Sequence, residues 1–334
     1  MTTGDKTTGE DQAALRDRVA GVMIGTAVGD ALGAGYEFGS APLGPGGPDM
    51  IGGGLGGFAP GQWTDDTTMA WCVLDAASRG DGLLAEGALT TIARHFRRWY
   101  DSGPSDIGNQ TRAVLHAAGS EPTAAAVREA AVRFSARHER SAGNGSLMRT
   151  APVALAHLGD REAIARAATE VSALTHADPS AGQACLLWSL AIDRAVRERV
   201  FDIRSGLAFL DDDEARSIWA SRIDEAEQEL PSRFTPNGWV VTALQAAWSS
   251  IHHTPVSADD PCRHAAESLA TAIAIGDDTD TVAAIAGGLL GARWGAERRQ
   301  PRTDLSHLAG DPAQAGVEIG QCSLYVVRLF GVHP

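Results

Sequence analysis

Hydrophobic residues recur at intervals of three and four along most of this chain, which is the spacing of one face of an α-helix. Runs that alternate between hydrophobic and polar residues, as half-buried strands do, are almost absent. The stretches that predict amphipathic helices are residues 85–101, 123–138, 160–175, 213–229, 238–251 and 316–329. The pattern therefore predicts an all-α fold of many short and medium helices, with neither coiled-coil heptads nor a repeat of fixed period.

Three further positions predict where helices begin. Asp178-Pro179 and Asp260-Pro261 each place a capping carboxylate before a proline, which is favoured at the first position of a helix because no N–H is needed there. Thr64 offers its hydroxyl as a cap ahead of another apolar stripe. We therefore expect a helix to start at each of these places.

The first predicted helix runs from Asp11 and carries a glycine at every fourth position, at Gly21, Gly25, Gly29 and Gly33. Glycine in the middle of a helix costs roughly 1 kcal/mol relative to alanine. Four glycines on one face require compensation, and the usual compensation is very close packing of a second helix. We interpret this helix as a central one with a tightly packed neighbour.

Two stretches predict no regular structure. Residues 1–12 form a polar tail that we expect to be mobile, and residues 39–61 are too rich in glycine and proline for a helix or a strand. The second stretch lacks the GxxxxGK[ST] pattern of a nucleotide P-loop, and its part 46–61 is either a lid beside the acidic residues that follow or an idle surface loop. The remaining chain, 13–334, is expected to form one compact domain.

The composition narrows the possible functions. The formal charge of −14 argues against a nucleic-acid surface, because phosphate binding there is driven by lysine and arginine. No apolar run approaches the length of a membrane span, and the N-terminus lacks the basic and apolar pattern of a signal peptide, so we expect a cytoplasmic protein. The four cysteines, Cys72, Cys185, Cys262 and Cys322, form no CxxC pair and predict neither disulfides nor a zinc site.

Carboxylates and threonine hydroxyls gather at the start of two predicted helices. The first run is Thr64, Asp65 and Asp66, and the second is Asp277, Asp278, Thr279, Asp280 and Thr281. Hard oxygen ligands at two helix N-termini are typical of sites for divalent cations such as Mg²⁺ or Mn²⁺. Each run alone is also explained by helix capping and by the helix dipole. Both interpretations stay open at the level of the sequence.

If the two runs meet in space, the repulsion between their carboxylates distinguishes the capping interpretation from the cation-binding one. Carboxylates about 5 Å apart, at an effective dielectric constant of about 20, repel each other by roughly 3 kcal/mol per pair. Such a cluster needs bound cations or protons to hold it together. Asp30 and Glu37, near the C-terminal end of the first helix, are either two solvated surface acids, or Glu37 faces the same site as Asp65 and Asp66.

Three smaller motifs lie between the predicted helices. Asp106 in DIGNQTRAVL predicts the N-cap of an amphipathic helix. The second motif consists of the small residues Gly143, Asn144, Gly145 and Ser146. Such residues at a helix entrance leave backbone N–H groups open to an anion such as a pyrophosphate, although they also form plain tight turns. His176, between two predicted helices, is explained either by a structural hydrogen bond or by a role at a site.

The order of the motifs carries more information than any one of them. They are GxxxGDALGxxxE (residues 25–37), WTDDTTM, DIGNQTRAVL, GNGSLMRTAPVAL, LTHADP, NGWVVTALQAAW (237–248) and GDDTDTVAAIAGGLLGA. With these motifs in this order, the chain resembles the ADP-ribosylglycohydrolase family from about residue 13 to residue 330. It departs from the family pattern at Asp277, which replaces the second glycine of the common GGDADT and adds a charge at the rim of the expected site.

The resemblance implies a compact all-α fold with a dinuclear metal centre in a central cleft. The ligands that it implies for this chain are Thr64, Asp65, Asp66, Asp278, Asp280 and Thr281. Two Mg²⁺ or Mn²⁺ ions suit this all-oxygen set better than zinc, which favours histidine and cysteine. The metals would hold the ribose hydroxyls and position or polarise the attacking water.

The activity implied by the resemblance is hydrolysis of the glycosidic bond at C1 of the distal ribose, which releases ADP-ribose from an arginine or serine side chain or from a related ADP-ribosyl conjugate. Glu37 is then the candidate general base or gate, and Asp106 a second candidate for proton transfer or water positioning. Asp66 is a catalytic carboxylate as well as a ligand. The residues implied in substrate binding are Gly143, Asn144, Gly145 and Ser146 around the pyrophosphate, with His176 near the phosphates or ribose.

Two other functions fit parts of the sequence. A non-catalytic ADP-ribose-binding or structural protein can share the fold, because a fold does not determine a function. A metal-dependent pyrophosphohydrolase would bind its metals to phosphate and release AMP, but the glutamate-rich helix patterns expected of it are absent. The expected partner is an ADP-ribosylated protein or small ADP-ribosyl conjugate, and we expect a monomer. The linkage and the target stay open.

Overall fold

A computed structural model describes residues 9–80 and 82–296, and most of this part is helical. The α-helices are α1 (Gly9–Gly33), α2 (Asp65–Ala77), α3 (Glu86–Asp101), α4 (Asn109–Ala117), α5 (Ala124–Ser135), α6 (Ala151–Ala156), α7 (Arg161–Ala173), α8 (Pro179–Glu198), α9 (Asp213–Gln228), α10 (Val240–His253), α11 (Arg263–Ala274) and α12 (Thr279–Trp294). Short 3₁₀ helices lie at Ala34–Gly39, Asn144–Ser146, Arg204–Phe209 and Pro231–Arg233. Within the described residues there are two isolated β-bridges and no β-strand, so the predicted all-α fold is confirmed. The predicted helix 316–329 and Cys322 lie outside the described residues.

Two of the predicted helix starts are confirmed by their capping hydrogen bonds. The Thr64 hydroxyl accepts a hydrogen bond from the Asp66 N–H at 3.4 Å, where α2 begins. Asp178 Oδ1 accepts a hydrogen bond from the Ser180 N–H at 2.9 Å, where α8 begins. In both places the side chain satisfies an N–H group that has no partner inside the helix.

The predicted helix start at Asp260-Pro261 is wrong by two residues. α11 begins at Arg263 with Cys262 as its N-cap, and no side chain caps it. The Arg263 N–H donates to the backbone carbonyl of Asp260 at 3.2 Å, so Asp260 and Pro261 form a turn ahead of the helix. Aspartate followed by proline is favoured in turns as well as at helix starts, and the sequence signal is the same for both.

α1 and α12 are in direct backbone contact along the glycine-bearing face of α1. A Cβ atom added to Gly25 would overlap the backbone carbonyl oxygen of Gly287 in α12, and a Cβ atom added to Gly287 would overlap that of Gly25. At the end of α1, a Cβ atom on Gly33 would lie 2.5 Å from the Cα atom of Asp280. The close packing predicted from the glycine spacing is therefore confirmed. It brings the end of α1 against the acidic start of α12.

We expect Gly29→Ala to destabilise the protein, because the new methyl group would overlap the backbone carbonyl of Ala283 and push α1 and α12 apart. Overpacking of this kind costs up to about 3 kcal/mol, and more where backbone has to move. Gly87→Ala in α3 is the matched control, since nothing lies within 4 Å of the position that its Cβ atom would take. Urea unfolding compares the two variants. Equal stability of Gly29→Ala and Gly87→Ala would contradict the backbone contact.

Two expectations drawn from the composition have different outcomes. The segment Asp11–Gly39 is long and apolar enough, by length and composition alone, to cross a bilayer, so the expectation of no such stretch is wrong. In its most apolar window 72% of the residues are buried inside the protein, and the buried central helix of a folded domain meets the same criteria. The cysteines of the described part, Cys72, Cys185 and Cys262, are free thiols, in agreement with the expected lack of disulfides.

Candidate active site

The two acidic runs meet where α2 and α12 begin. One carboxylate oxygen each of Asp30, Asp66 and Asp280 lies within 4.8 Å of the other two. Glu37, Asp278 and Asp280 form a second group of the same kind. Asp280 belongs to both groups, so these five residues form one continuous carboxylate cluster.

Asp30 lies in this cluster although the sequence analysis did not name it as a site residue. Its side chain is fully buried, and Oδ1 accepts a hydrogen bond from the Thr64 N–H at 2.9 Å. Oδ2 accepts hydrogen bonds from the Thr67 N–H at 3.0 Å and from the Thr67 hydroxyl at 2.6 Å. Asp30 thus holds the first turn of α2, and its interpretation as a solvated surface acid is wrong. The signal that could have revealed it is its place beside Gly29, on the helix that packs against α12.

Glu37 also lies in the cluster and not at the surface. It follows α1 in the turn Ala34–Gly39, where the backbone leaves the helical conformation at Glu37 and Phe38, and its side chain is buried. Glu37 Oε2 and Asp66 Oδ1 are buried oxygens that have no hydrogen-bond partner among the described residues. An unsatisfied buried acceptor costs roughly 1–3 kcal/mol, and more when it is charged. A bound cation would remove this cost at both atoms.

Burial raises the pKa of each carboxyl group in the cluster and of Asp65 beside it. The pKa of Glu37 rises to about 8 through burial and, next, the charge of Asp106, and the pKa of Asp65 also rises to about 8 for the same two reasons. The pKa of Asp30 rises only to about 6, because the hydrogen bonds from Thr67 oppose the effect of burial. The other residues whose pKa is raised are Asp66, Asp278 and Asp280. The cluster therefore holds protons or cations at neutral pH.

We expect the metal-free protein to become less stable as the pH rises from about 5 to about 8.5. Asp30, Glu37 and Asp65 have a higher pKa in the folded protein, about 6 to about 8, than the value near 4 of an unfolded chain. Their protonated forms allow folding at low pH, and that stability is lost as the pH passes through the folded pKa values. The melting temperature in chelator, measured at about pH 5 and at about pH 8.5, tests this expectation. The same measurements with added Mg²⁺ are the comparison. A melting temperature that rises with pH in chelator would contradict the expectation.

The donor set of the cluster suits a hard divalent cation. Both three-residue groups consist of carboxylates alone, without histidine or cysteine. Thr64 donates its hydroxyl proton to Asp66 Oδ2 at 3.0 Å, and the Thr281 N–H donates to Asp280 Oδ1 at 2.9 Å, so both threonines adjoin the cluster. Three of the residues predicted as ligands, Asp66, Asp278 and Asp280, lie in the two carboxylate groups. Thr64 and Thr281 adjoin these groups, and Asp65 precedes Asp66 at the start of α2. All-oxygen sets of this kind fit Mg²⁺ or Mn²⁺ better than Zn²⁺.

Asp106 adjoins the cluster instead of capping a helix. α4 begins at Asn109, and its N-cap is Gly108, which makes no side-chain cap, so the predicted capping role of Asp106 is wrong. The charge of Asp106 is the second cause of the raised pKa values of Glu37 and Asp65. Burial raises the pKa of Asp106 itself. Asp106 is therefore near enough for its charge to act on Glu37 and Asp65, and it stays a candidate for proton transfer or water positioning.

Asp277, where the chain departs from the family pattern, forms hydrogen bonds with two neighbouring segments, at Asn237 and at Phe38. Its φ of +66° lies in the left-handed region that favours glycine. Oδ2 accepts a hydrogen bond from the Asn237 N–H at 2.7 Å, and the backbone carbonyl of Asp277 accepts one from the Phe38 N–H at 2.7 Å. The added carboxylate is thus tied to a backbone N–H, although its charge also contributes to the raised pKa of Asp278.

Two asparagines connect the Asn144–Ser146 turn with the cluster. Asn144 Nδ2 donates to Asp278 Oδ2 at 2.7 Å and to the backbone carbonyl of Asn237 at 3.1 Å. Asn237 is fully buried, and its Oδ1 accepts from the Asp278 N–H at 2.9 Å. Asn237 was missed as a site residue, and its place at the start of the NGWVVTALQAAW motif is the signal that could have found it. The Asn144 N–H donates to the Gly238 carbonyl at 3.1 Å, so, contrary to the prediction, this N–H is not open to an anion.

The remaining residues predicted for substrate binding lie beside the same turn. The Ser146 hydroxyl is buried and accepts a hydrogen bond from the Ser172 hydroxyl at 2.9 Å. The Ser146 side chain is therefore hydrogen-bonded within the protein interior. His176 is 3% exposed, and a Cβ atom on Gly143 or on Gly145 would lie 3.4 Å from its Nε2 atom. Burial lowers the pKa of His176 to about 3, so its imidazole is neutral.

The glycine-rich stretch 46–61 borders the cluster. A Cβ atom on Gly54, whose φ is +64°, would overlap the backbone carbonyl of Ala34 and lie 3.9 Å from Glu37 Oε2. A lid has to lie next to the group that it covers, and this stretch does. The lid role itself stays a prediction.

A family model described as ADP-ribosylglycohydrolase matches residues 11–318 of this chain. The chain belongs to the ADP-ribosylglycohydrolase family. The match spans both acidic runs, the Asn144–Ser146 turn and His176. Members of this family are hydrolases that act on glycosidic bonds, so the chain is an enzyme of this class.

Relatives of the ADP-ribosylglycohydrolase family agree with this assignment. The ADP-ribosylarginine hydrolase Tri1 of Pseudomonas putida (strain GB-1) is 30% identical over 298 residues, covering 85% of this chain and 72% of the relative. The ADP-ribosyl-[dinitrogen reductase] glycohydrolase of Rhodospirillum rubrum is 30% identical over 289 residues, covering 85% of this chain and 87% of the relative. A solved structure of an ADP-ribosylglycohydrolase-related protein complex shares the fold, with a TM-score of 0.67, 24% identity, and coverage of 95% of this chain and 98% of the other.

An exposed aromatic residue at the site of this ADP-ribosylglycohydrolase was missed by the sequence analysis. Trp239 is 45% exposed and pairs with Gly143 in an isolated β-bridge. The guanidinium of Arg222 lies over its ring, 5.7 Å from the ring centre. A large exposed ring beside the Asn144–Ser146 turn offers a face on which a planar group can stack. Exposure is a tertiary property, and nothing in the sequence separates Trp239 from the buried tryptophans of the chain.

Proposed function

We propose that this enzyme hydrolyses the glycosidic bond at C1 of the distal ribose and so removes ADP-ribose from a modified arginine side chain, with two Mg²⁺ or Mn²⁺ ions as cofactors. The observation that carries the proposal is the pair of three-carboxylate groups that share Asp280. Two such groups would offer carboxylate ligands for two cations. The orphaned oxygens of Glu37 and Asp66 support the same reading, because they lack a partner that a cation or its water would provide.

The ions would be held by residues from the starts of two helices. The proposed ligands are Thr64, Asp65, Asp66, Asp278, Asp280 and Thr281. When bound, such ions supply fixed positive charge for ribose hydroxyls and for a water molecule whose pKa they lower. Asp30 does not need to be a ligand to matter, because its hydrogen bonds to Thr64 and Thr67 fix the turn from which two of the ligands project.

Proton transfer is assigned to the two carboxylates at the rim of the cluster. With cations in place of the proton that Glu37 holds in the metal-free protein, Glu37 would accept the proton of the attacking water. It is buried, its Oε2 atom has no partner among the described residues, and it lies within the second carboxylate group. Asp106, whose charge raises the pKa of Glu37, positions the water. The transition state of glycoside hydrolysis carries oxocarbenium-like positive charge, which the surrounding carboxylates stabilise.

The ADP part of the substrate is assigned to the Asn144–Ser146 turn and its neighbours. Gly143 and Gly145 leave the backbone of the turn accessible beside His176, which suits a pyrophosphate. Trp239 lies at the end of the turn with its ring exposed and provides a stacking face for the adenine. Asn144 bonds to Asp278, so the phosphate-binding turn and the metal centre keep a fixed distance.

The arginine linkage is proposed because of the relatives. Two of them are named for ADP-ribosylarginine hydrolysis and one for ADP-ribosyl-[dinitrogen reductase], at 27–30% identity. Loss of metal-binding carboxylates would favour the non-catalytic alternative, and this chain keeps Asp65, Asp66, Asp278 and Asp280. An ADP-ribosylated protein is the proposed partner, and cytoplasmic location and a monomeric state stay predictions.

The test measures free ADP-ribose released from arginine-linked and serine-linked ADP-ribosyl peptides, after chelator treatment, with and without added Mg²⁺. We expect Mg²⁺-dependent release from the arginine-linked peptide. Release from the serine-linked peptide alone would move the assignment to an O-glycosidic bond. Formation of AMP would instead favour a pyrophosphohydrolase, and tight binding of ADP-ribose without release would favour a binding protein.

A further inference from the structure

Arg149 is a fully buried cation that the proposed reaction does not use. Its side chain is 0% exposed, and among the described residues it forms no ion pair with a carboxylate. The guanidinium lies 4.5 Å from the ring centre of Phe96, and NH1 points at Met69 Sδ at 3.8 Å. Within the part of the chain that the structure describes, Arg149 Nε has no hydrogen-bond partner. Burying an arginine in this way is costly, so its contacts require an explanation beyond packing.

The strongest contact of Arg149 is with Thr175. Arg149 NH2 lies 2.7 Å from Thr175 Oγ1, and Thr175 Oγ1 lies 2.8 Å from His176 Nδ1. A guanidinium can only donate, so Thr175 Oγ1 accepts from Arg149. The single hydrogen of the Thr175 hydroxyl then has one acceptor within reach in the described structure, which is His176 Nδ1. His176 Nδ1 is therefore the acceptor, and the imidazole proton is on Nε2.

The opposite arrangement is unfavourable. If His176 Nδ1 carried the proton and donated it to Thr175, the hydroxyl hydrogen of Thr175 would be buried without an acceptor, and such a group costs roughly 1–3 kcal/mol. Arginine cannot relieve this by giving up a proton, because it stays protonated in proteins. Burial and the charge of Arg149 lower the pKa of His176, so a doubly protonated imidazole is excluded at neutral pH.

The Nε2–H group of His176 has no acceptor among the described residues, although the side chain is 97% buried (3% exposed). The Nε2–H group faces the Asn144–Ser146 turn, because Cβ atoms on Gly143 and Gly145 would each lie 3.4 Å from Nε2. Glycine at both positions leaves the space in front of the imidazole open. An imidazole N–H that has no acceptor among the described residues and lies beside this turn suits an oxygen acceptor from outside the protein.

We propose that Arg149 is a positioning residue that acts through Thr175 to hold His176 as its Nε2–H tautomer, so that His176 donates a hydrogen bond to a phosphate oxygen of the bound ADP-ribosyl group. The identity of the ligand rests on the proposed function. The tautomer is a property of the free protein and does not. Because a neutral donor does not titrate near pH 7, the hydrogen bond to the phosphate is the same across the physiological range.

The first experiment observes the tautomer of His176 directly. Long-range ¹H–¹⁵N NMR of the full-length, ¹⁵N-labelled protein with Mg²⁺ distinguishes Nδ1–H from Nε2–H, and His176→Gln identifies the signals. We expect the proton on Nε2 in the wild type and in Thr175→Ser, which keeps the hydroxyl. In Thr175→Val and in Arg149→Met the Nδ1 signal moves toward that of a free imidazole. A proton on Nδ1 in the wild type would overturn the proposal.

The second experiment connects the tautomer with binding. Calorimetry with ADP-ribose should show a Kd about tenfold higher for Thr175→Val than for Thr175→Ser, as expected for one lost hydrogen bond to a charged group. Thr175→Val combined with His176→Gln should bind no more weakly than His176→Gln alone, because the effect acts through His176. If Thr175→Val raised the Kd equally in the wild type and in His176→Gln, the substitution would act on the fold and not through His176, and the positioning role would be overturned. Wild-type protein that binds no ADP-ribose would contradict the proposed function, while the NMR signal decides the tautomer by itself.

Discussion

Asp280→Ala is expected to lose both bound cations and to reduce the release of ADP-ribose by at least about a thousandfold, a larger loss than the roughly 10- to 100-fold typical of residues that act behind a metal ligand. The reason is that Asp280 is the member shared by both carboxylate groups. Asp66 and Asp278 each belong to one group and cannot replace it. Metal content after dialysis against Mn²⁺ and the rate of release from an ADP-ribosylarginine peptide measure the two effects.

A control for this prediction has to separate the lost ligand from a lost fold. Asp213→Ala removes a carboxylate that is 98% exposed and paired with Arg216 on the surface of α9, so it should keep metal and activity. Asp280→Asn keeps the shape of the side chain and removes its charge. In chelator this variant should unfold at a temperature at least as high as the chelated wild type, because one repelling carboxylate is gone. Full metal content and turnover in Asp280→Ala would contradict the two-metal centre.

Glu37→Gln is expected to reduce kcat by roughly 10²- to 10⁴-fold, the range typical of a lost general base, while the metal content stays that of the wild type. Glutamine fills the space of glutamate but cannot accept the proton of the attacking water. The buried position and the unpartnered Oε2 atom are the reasons for the assignment. Single-turnover kinetics and metal analysis on the same sample measure both quantities.

The same variant also tests an alternative role. Glu37 lies in one carboxylate group with Asp278 and Asp280, so it could bind a cation itself. Loss of metal in Glu37→Gln, with a proportionate loss of rate, would reassign Glu37 as a ligand. Glu86→Gln is a suitable control, because Glu86 pairs with Arg128 and its side chain is 56% exposed.

The parts of the site that the sequence revealed are those encoded locally. Asp65 and Asp66 follow a capping threonine, and the structure keeps that order, because a helix start needs only its own neighbours to form. The glycines at every fourth position of α1 predicted a close helix partner, because their helix penalty has to be offset by contacts. Which helix is the partner, α12, depends on a tertiary contact that the glycine spacing does not encode.

The parts that the sequence did not reveal depend on contacts between distant segments. Asp30 accepts its hydrogen bonds from residues more than thirty positions away, and no local pattern encodes them. Asn237 joins Asp277, Asp278 and Asn144, and these are contacts that its place at the start of the NGWVVTALQAAW motif does not specify. Asp106 resembled a helix cap because an aspartate before an amphipathic stretch usually is one, whereas here it adjoins the carboxylate cluster.

The backbone contact between α1 and α12 limits how this enzyme can evolve. Gly25 and Gly287, and likewise Gly21 and Gly291, each occupy the space that a methyl group on the other would need, so neither member of a pair can gain a side chain first. A saturation mutagenesis screen should find these positions intolerant singly and in pairs. Trp239, which we assign to adenine stacking, lies outside that contact. Single substitutions around the metal centre can therefore lead step by step to new substrate preferences. The paired glycines between α1 and α12 cannot be replaced one at a time.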